Sequence, residues 1–192
     1  QDKKHKPLIL RGARQVGKTT VVNEFGSQFD NYLYFNLERT ENAKLFEMEI
    51  PLDDLVNMLY ASVGKVKKEG TTLVFIDEIQ NSPKTIALLR YFYEQRPDLY
   101  VIAAGSLLEN LVDVKVSFPV GRVQYLALRP CSFSEFLGAI GKSNLLAVLS
   151  QKAEYTVAFH EQLMHLFNQY TIVGGMPEAV QQYAETQDVI GI

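Results

Sequence analysis

The sequence has a single cysteine, Cys131. One cysteine excludes an internal disulfide and argues against a cysteine-based zinc site, and it fits a reducing cytoplasm. No run of 18 apolar residues occurs, so no segment has the length of a transmembrane helix. The residues ahead of Pro7 (Lys3, Lys4, His5, Lys6) lack the apolar stretch of a signal peptide. Internal repeats, low-complexity tracts and disordered linkers are lacking too. Nor is there an excess of positive charge. Nineteen Lys+Arg against 22 Asp+Glu leave a net charge of −3, which argues against broad nonspecific binding to nucleic acid or anionic membranes. The chain opens at Gln1 without Met, and its end carries no stop signal of its own. It therefore reads as a fragment of a longer protein, cut just before a first strand.

What is present is an ordinary globular composition over 192 residues, 47% hydrophobic and 21% charged. That length corresponds to roughly 1.3 domains, and a chain of this size buries roughly 70% of its unfolded surface. Apolar runs of strand length recur at Leu8 to Leu10, Tyr32 to Leu37, Thr71 to Ile76, Leu99 to Ala104 and Val123 to Leu128. Their continuity predicts burial on both faces. Helical patterns lie between them at Lys18 to Phe25, Leu52 to Val66, Lys84 to Arg96 and Leu107 to Leu111. Strands alternating with helices predict βαβ units and an α/β fold around a parallel sheet. After about Pro130 the pattern turns all-helical. Ser132 to Glu135 is an S-x-x-E capping box opening a helix. Helical patterns follow at Asn144 to Leu149 and Val157 to Tyr170, and Pro177 suits the first turn of a last helix reaching Ala184. The expected division is a core over residues 1–130 and a helical segment over 131–192.

Gly12-Ala13-Arg14-Gln15-Val16-Gly17-Lys18-Thr19 matches G-x-x-x-x-G-K-[ST]. Two glycines permit the backbone turns that aim successive N–H groups at phosphate oxygens, and the following helix adds its dipole. Lys18 can reach the β and γ phosphates, and Thr19 can place its hydroxyl on Mg²⁺. A chance match arises in roughly one chain of this length in a hundred. Here the motif also follows a predicted strand and opens a predicted helix. Residues 12 to 20, Thr20 included, are the expected ATP-binding segment.

Asp77 and Glu78 close the most apolar strand, 59 residues after Lys18. Parallel sheets present ligand chemistry at the carboxyl ends of their strands. Asp77 is expected to hold Mg²⁺ with Thr19, and Glu78 to polarise a water for in-line attack. The next strand ends at Gly105-Ser106. Ser106 suits either a hydrogen bond to the attacking water or γ-phosphate, or a cap on the helix starting at Leu107.

Several further segments join this set: Leu10 to Thr20, Asp77 to Gln80, Gly105-Ser106, Gly121-Arg122, Leu128 to Leu137 and Gly174 to Pro177. Together they resemble the prokaryotic AAA-type ATPases of the additional-strand catalytic glutamate class. Those are relatives of the STAND group and often carry a C-terminal nuclease-like domain of unknown function. The resemblance implies a P-loop NTPase three-layer sandwich with strand order 5-1-4-3-2, followed by a helical lid. It implies ATP hydrolysis with Mg²⁺, with Glu78 as the catalytic carboxylate and Ser106 at the polar sensor position. It makes Gly175-Met176-Pro177 similar to the G-x-P of STAND lids, where the proline sits near the adenine. Arg122 matches the Gly-Arg before the last strand. An arginine there either contacts the γ-phosphate of its own or a neighbouring subunit, or is a loop arginine paired with a carboxylate. The customary helix before the first strand and the C-terminal domain are missing.

The expected function is a cytoplasmic ATPase module that binds ATP and ADP and controls an attached C-terminal domain. Self-association and nucleic-acid binding stay open; no membrane contact is expected. One alternative is a small-molecule P-loop kinase, against which stands the absence of arginine after Arg129. Another is a non-hydrolysing ATP switch for protein or DNA partners, against which stands Glu78. Other signals are declined. His160 and His165 are five apart on a helix, one too many for H-E-x-x-H, and point about 140° from each other. Lys65, Lys67 and Lys68 read as a solvated loop or helix end rather than a nucleic-acid patch. Phe133, Phe136, Phe159, Phe167 and Tyr170 read as core.

Overall fold

The computed structural model describes residues 5–64, 66–106, 119, 121–150 and 157–189. Five strands form one all-parallel sheet: β1 (Leu8–Arg11), β2 (Asn31–Asn36), β3 (Thr72–Asp77), β4 (Leu99–Gly105) and β5 (Gln124–Ala127). Their spatial order is β2-β3-β4-β1-β5, the expected P-loop NTPase order read from the other edge. Helices α1 (Lys18–Gly26), α2 (Thr40–Phe46), α3 (Leu52–Ser62) and α4 (Pro83–Gln95) connect the strands.

Side-chain alternation along the strands builds the layers. Ile9, Leu33, Phe35, Val74, Ile76, Val101 and Ala103 face α2, α3 and α4, packing on Phe46, Leu59, Ile86 and Leu89. Leu10, Leu73, Phe75, Ile102 and Ala104 face the opposite way and pack on Val22 of α1. Every residue of β3 is buried, as its continuous apolar run requires.

The two edges differ from expectation. β2 alternates buried and half-buried residues, with Tyr32 and Tyr34 on the α1 face. β5 is exposed along its whole length rather than buried on both faces: it is an edge strand paired with β1, and none of its residues joins a core cluster among the described residues. Helix α3 stops at Ser62, four residues short of the predicted end; Gly64 adopts φ 64° just beyond it, a left-handed position that ends a helix. Helix α2 had no clear apolar period in its seven residues. The helix expected at Leu107 to Leu111 lies outside the described residues.

The chain divides into two compact units, residues 1–128 and 129–192. The second holds α5 (Phe133–Ala139), α6 (Ser143–Ser150), α7 (Val157–Val173) and α8 (Pro177–Thr186). Ser132 caps α5 in a complete capping box with Glu135. Phe136, Val173, Val180 and Tyr183 form one small core, and Leu137, Leu145, Leu163 and Leu166 another. Phe136 is core as predicted, and Phe133 and Tyr170 pack against it. Phe159 and Phe167 are not core: both are exposed on α7, though Phe167 meets Phe133 edge-on. Successive turns of a 17-residue helix cannot all face so small a core. His160 and His165 are exposed on the same helix, and Lys67 and Lys68 are exposed ahead of β3. Lys65 lies outside the described residues. No helix among the described residues is long and apolar enough to cross a membrane.

The starts of β2 and β3 are tied by Asp30. Its Oδ2 accepts the Thr71 N–H at 2.7 Å and the Thr71 hydroxyl at 3.0 Å, and these bonds hold its carboxyl below the ordinary value of 3.8. A depressed folded pKa contributes stability above the unfolded value and loses it as pH falls through the folded one. Asp30→Ala is expected to lower Tm at neutral pH. Calorimetry at about pH 3 should find the gap between variant and parent narrowed.

Candidate nucleotide site at the carboxyl ends of the strands

β1 ends at Arg11 and the chain turns at once into the phosphate loop. A Cβ on Gly12 would lie 2.2 Å from the Leu128 carbonyl oxygen, while the Leu128 N–H donates to the Arg11 carbonyl at 2.8 Å. Only glycine lets the end of β5 run this close to the loop. Val16 is buried and anchors the loop; Ala13, Arg14 and Gln15 are exposed at its tip. Gln15 (φ 64°) and Gly17 (φ 93°) both take the left-handed conformation. Two such turns within three residues curl the backbone into a concavity of the kind that binds anions.

Gly17 is the N-cap of α1, with no side-chain cap and no acidic residue in the first turn. The first N–H groups of α1 and the positive end of its dipole are therefore left for an anion. Lys18 is 5% exposed. Its Nζ donates to the carbonyls of Gly12 at 3.0 Å and Ala13 at 2.8 Å, so the ammonium lies inside the loop. Thr20, next on α1, is exposed.

Thr19 Oγ1 donates to Asp77 Oδ2 at 2.7 Å. Asp77 is 2% exposed. Its Oδ1 accepts the Glu78 N–H at 3.0 Å, and Tyr34 Oη donates to Oδ2 at 3.4 Å. Burial, helped by the Asp77 charge, raises the Tyr34 phenol, which keeps it a donor. The oxygen donors match a small hard cation. Among the described residues no group of three or more His, Cys, Asp or Glu side chains gathers. Magnesium at a nucleotide needs none, because phosphate oxygens and waters would supply its remaining ligands. Thr19 and Asp77 would hold it, and the uncapped, glycine-lined loop fits the phosphates.

Glu78 leaves β3 in the left-handed conformation, φ 53° and ψ 44°. Gln80 Nε2 donates to Glu78 Oε2 at 2.5 Å. Ser106 follows the last residue of β4 and is half-buried. Strand register pairs Arg11 with Gly105, and Ile76 with Ala103. Thr19, Asp77, Glu78 and Ser106 thus share the loop's end of the sheet.

Arg122 is not brought to them. It precedes β5, whose register pairs Gln124 with Leu8 and Ala127 with Arg11. Arg122 therefore stands where the strands begin, roughly 15 Å along the strand direction from the loop of its own chain. Its Nε donates to Glu94 Oε1 at 2.6 Å, and Arg90 donates to the same oxygen at 2.9 Å. The two arginines lower the Glu94 carboxyl, Arg90 the more. Of the two readings, the carboxylate-paired arginine is the one the contacts match.

Pro177 lies in the second unit as the first residue of α8. The glycines ahead of it have local explanations: Gly174 turns left-handed at φ 77°, and a Cβ on Gly175 would lie 2.3 Å from the Cys131 carbonyl oxygen. The Cys131 N–H donates to Gly175 O at 2.7 Å, and Tyr170 Oη donates to Cys131 O at 2.7 Å.

A family described as the AAA domain matches residues 4–137. The chain belongs to this family. It is an AAA-type P-loop ATPase module, and its sheet order fits. Among solved structures, Drosophila ORC bound to DNA is similar at TM-score 0.56 and 15% identity. C. elegans PCH-2 is similar at 0.50 and 12%. Each match covers 95% of this chain and 56% of the other, so the chain spans little more than half their length. At these identities the likeness is one of fold. No curated protein matches the chain.

Sequence reasoning missed Tyr34, Gln80 and Glu94 as partners of the predicted residues. Gln80 stood within the quoted Asp77 to Gln80 segment; Tyr34 and Glu94 carried no motif. Gly12→Ala is expected to lower Tm and weaken ATP binding together, because relief of the clash with Leu128 must move the loop or β5. Scanning calorimetry and nucleotide titration check both.

Proposed function

We propose that this AAA domain binds and hydrolyses ATP with Mg²⁺, and that its nucleotide state is passed through the helical second unit to an attached domain. The observation carrying this reading is the 2.7 Å contact of Thr19 with Asp77, beside an uncapped helix N-terminus and a buried lysine. The loop N–H groups and Lys18 bind the β and γ phosphates. Thr19 and Asp77 would hold the cation. Held there, magnesium would supply positive charge that offsets the charge of the phosphates. Glu78 takes the proton of the attacking water, and the Ser106 hydroxyl orients that water or the γ-phosphate.

Arg122 stands at the far end of the sheet and would serve a neighbouring copy's nucleotide once freed from Glu94, which makes self-association part of the proposal. By resemblance to the STAND group, Gly175-Met176-Pro177 forms the lid turn and Pro177 meets the adenine. The lone half-buried Cys131 suits work in a reducing cytoplasm.

Lys18→Ala is expected to weaken ATP binding by about 100-fold, since it removes the one buried cation of the loop. Glu78→Gln should keep ATP affinity and lose about 10²–10³ in kcat. Calorimetric titration and release of free phosphate measure the two. Normal hydrolysis by Glu78→Gln would remove Glu78 as the base. Phosphate appearing on an added metabolite would identify a kinase.

A further inference from the structure

Gln80 stands two residues beyond Glu78, a spacing at which helix side chains do not face each other. Here the backbone brings them together. The left-handed turn at Glu78 starts a single 3-10 turn over Ile79–Asn81, closed by the Asn81 N–H on the Glu78 carbonyl at 3.1 Å. Ile79 is fully buried and pins that turn to the core. The Gln80 side chain folds back, and its Nε2 donates to Glu78 Oε2 at 2.5 Å. A carboxylate only accepts, so the amide nitrogen must be the atom facing it.

The other end of the same amide carries the decisive observation. Gln80 Oε1 is buried and, among the described residues, has no hydrogen-bond partner. A buried acceptor without a donor is costly, and an amide free to choose its rotamer would turn that oxygen to water. The side chain instead keeps its charge-assisted bond to Glu78 and leaves its own oxygen unpaired. Among the described residues Gln80 is also the one side chain that hydrogen-bonds the Glu78 carboxylate.

We propose that Gln80 is a positioning residue for Glu78. Its amide holds Oε2 and so fixes the carboxylate rotamer, leaving Oε1 to face the water. This rests on the reading of Glu78 as the base. Gln80 touches no reacting atom; it decides where the base points.

The test is a double-mutant cycle by single-turnover ATP hydrolysis. Gln80→Ala and Gln80→Leu are expected to lower the rate about 10- to 100-fold, as misplacement of a catalytic group does. ATP affinity and Tm should stay near the parent's. In the Glu78→Gln background, Gln80→Ala should change the rate less than about twofold, because the group it orients is already gone. A second measurement needs no turnover. In the ¹⁵N-labelled, nucleotide-free protein, the Gln80 side-chain amide proton should resonate downfield and exchange slowly, and Glu78→Ala should abolish both. The proposal is overturned if Gln80→Ala keeps the parent rate, if it lowers the rate equally in both backgrounds, or if the amide resonance ignores Glu78→Ala. Normal turnover by Glu78→Gln sinks the base assignment by itself. A silent Gln80→Ala beside an inactive Glu78→Gln sinks only the positioning role.

Discussion

Thr19 and Asp77 meet at 2.7 Å although 58 residues separate them in the chain, and the rest of the site is arranged around that contact. It joins the first turn of α1 to the last residue of β3, two elements that are not neighbours in sequence. The contact requires a parallel sheet, because only parallel strands bring several carboxyl ends to one side. It requires β4 between β1 and β3, since this order leaves room for the phosphate loop to arch toward Asp77. Both partners are shielded from water: Asp77 is almost fully buried and Thr19 half-buried. A hydroxyl and a carboxylate partly withdrawn from water interact more strongly than at the surface. A cation that replaced the hydrogen bond, as proposed, would meet ligands already in position.

Close backbone approach recurs in both units and explains glycines that periodicity cannot. Gly12 admits the Leu128 carbonyl, which fastens the end of β5 beside the phosphate loop. Gly175 admits the Cys131 carbonyl, which fastens the turn before α8 to the start of the second unit. The second case bears on the Gly174 to Pro177 segment: Gly175 meets a local packing demand and Gly174 a left-handed turn, φ 77°, whatever Pro177 does toward a nucleotide.

The central strands were legible because burial on both faces leaves an unbroken apolar run, and β3 shows it at every position. Edge strands were less so. β5 carries Tyr125 and Leu126 outward, and neither residue says that it lies on a rim. Helix α2 escaped because seven residues hold too few turns to show a period. The loop residues from Gly12 to Thr19 could be named in advance because an anion cradle needs glycine, lysine and a hydroxyl at set spacings. Arg122 shows the limit. Gly121-Arg122 stands out in the chain, yet the register of β5 on β1 puts it at the opposite end of the sheet, in the hold of Glu94.

By itself the sequence determined the class of fold, the phosphate loop and the acidic pair, since each rests on local chemistry: apolar runs, turn glycines, and residue types at short spacings. The tertiary structure alone decided who holds whom. Tyr34 on Asp77, Gln80 on Glu78 and Glu94 on Arg122 depend on strand order, on the left-handed turn after β3 and on where α4 ends. Contacts of that kind follow from the path of the backbone, which residue spacing does not encode.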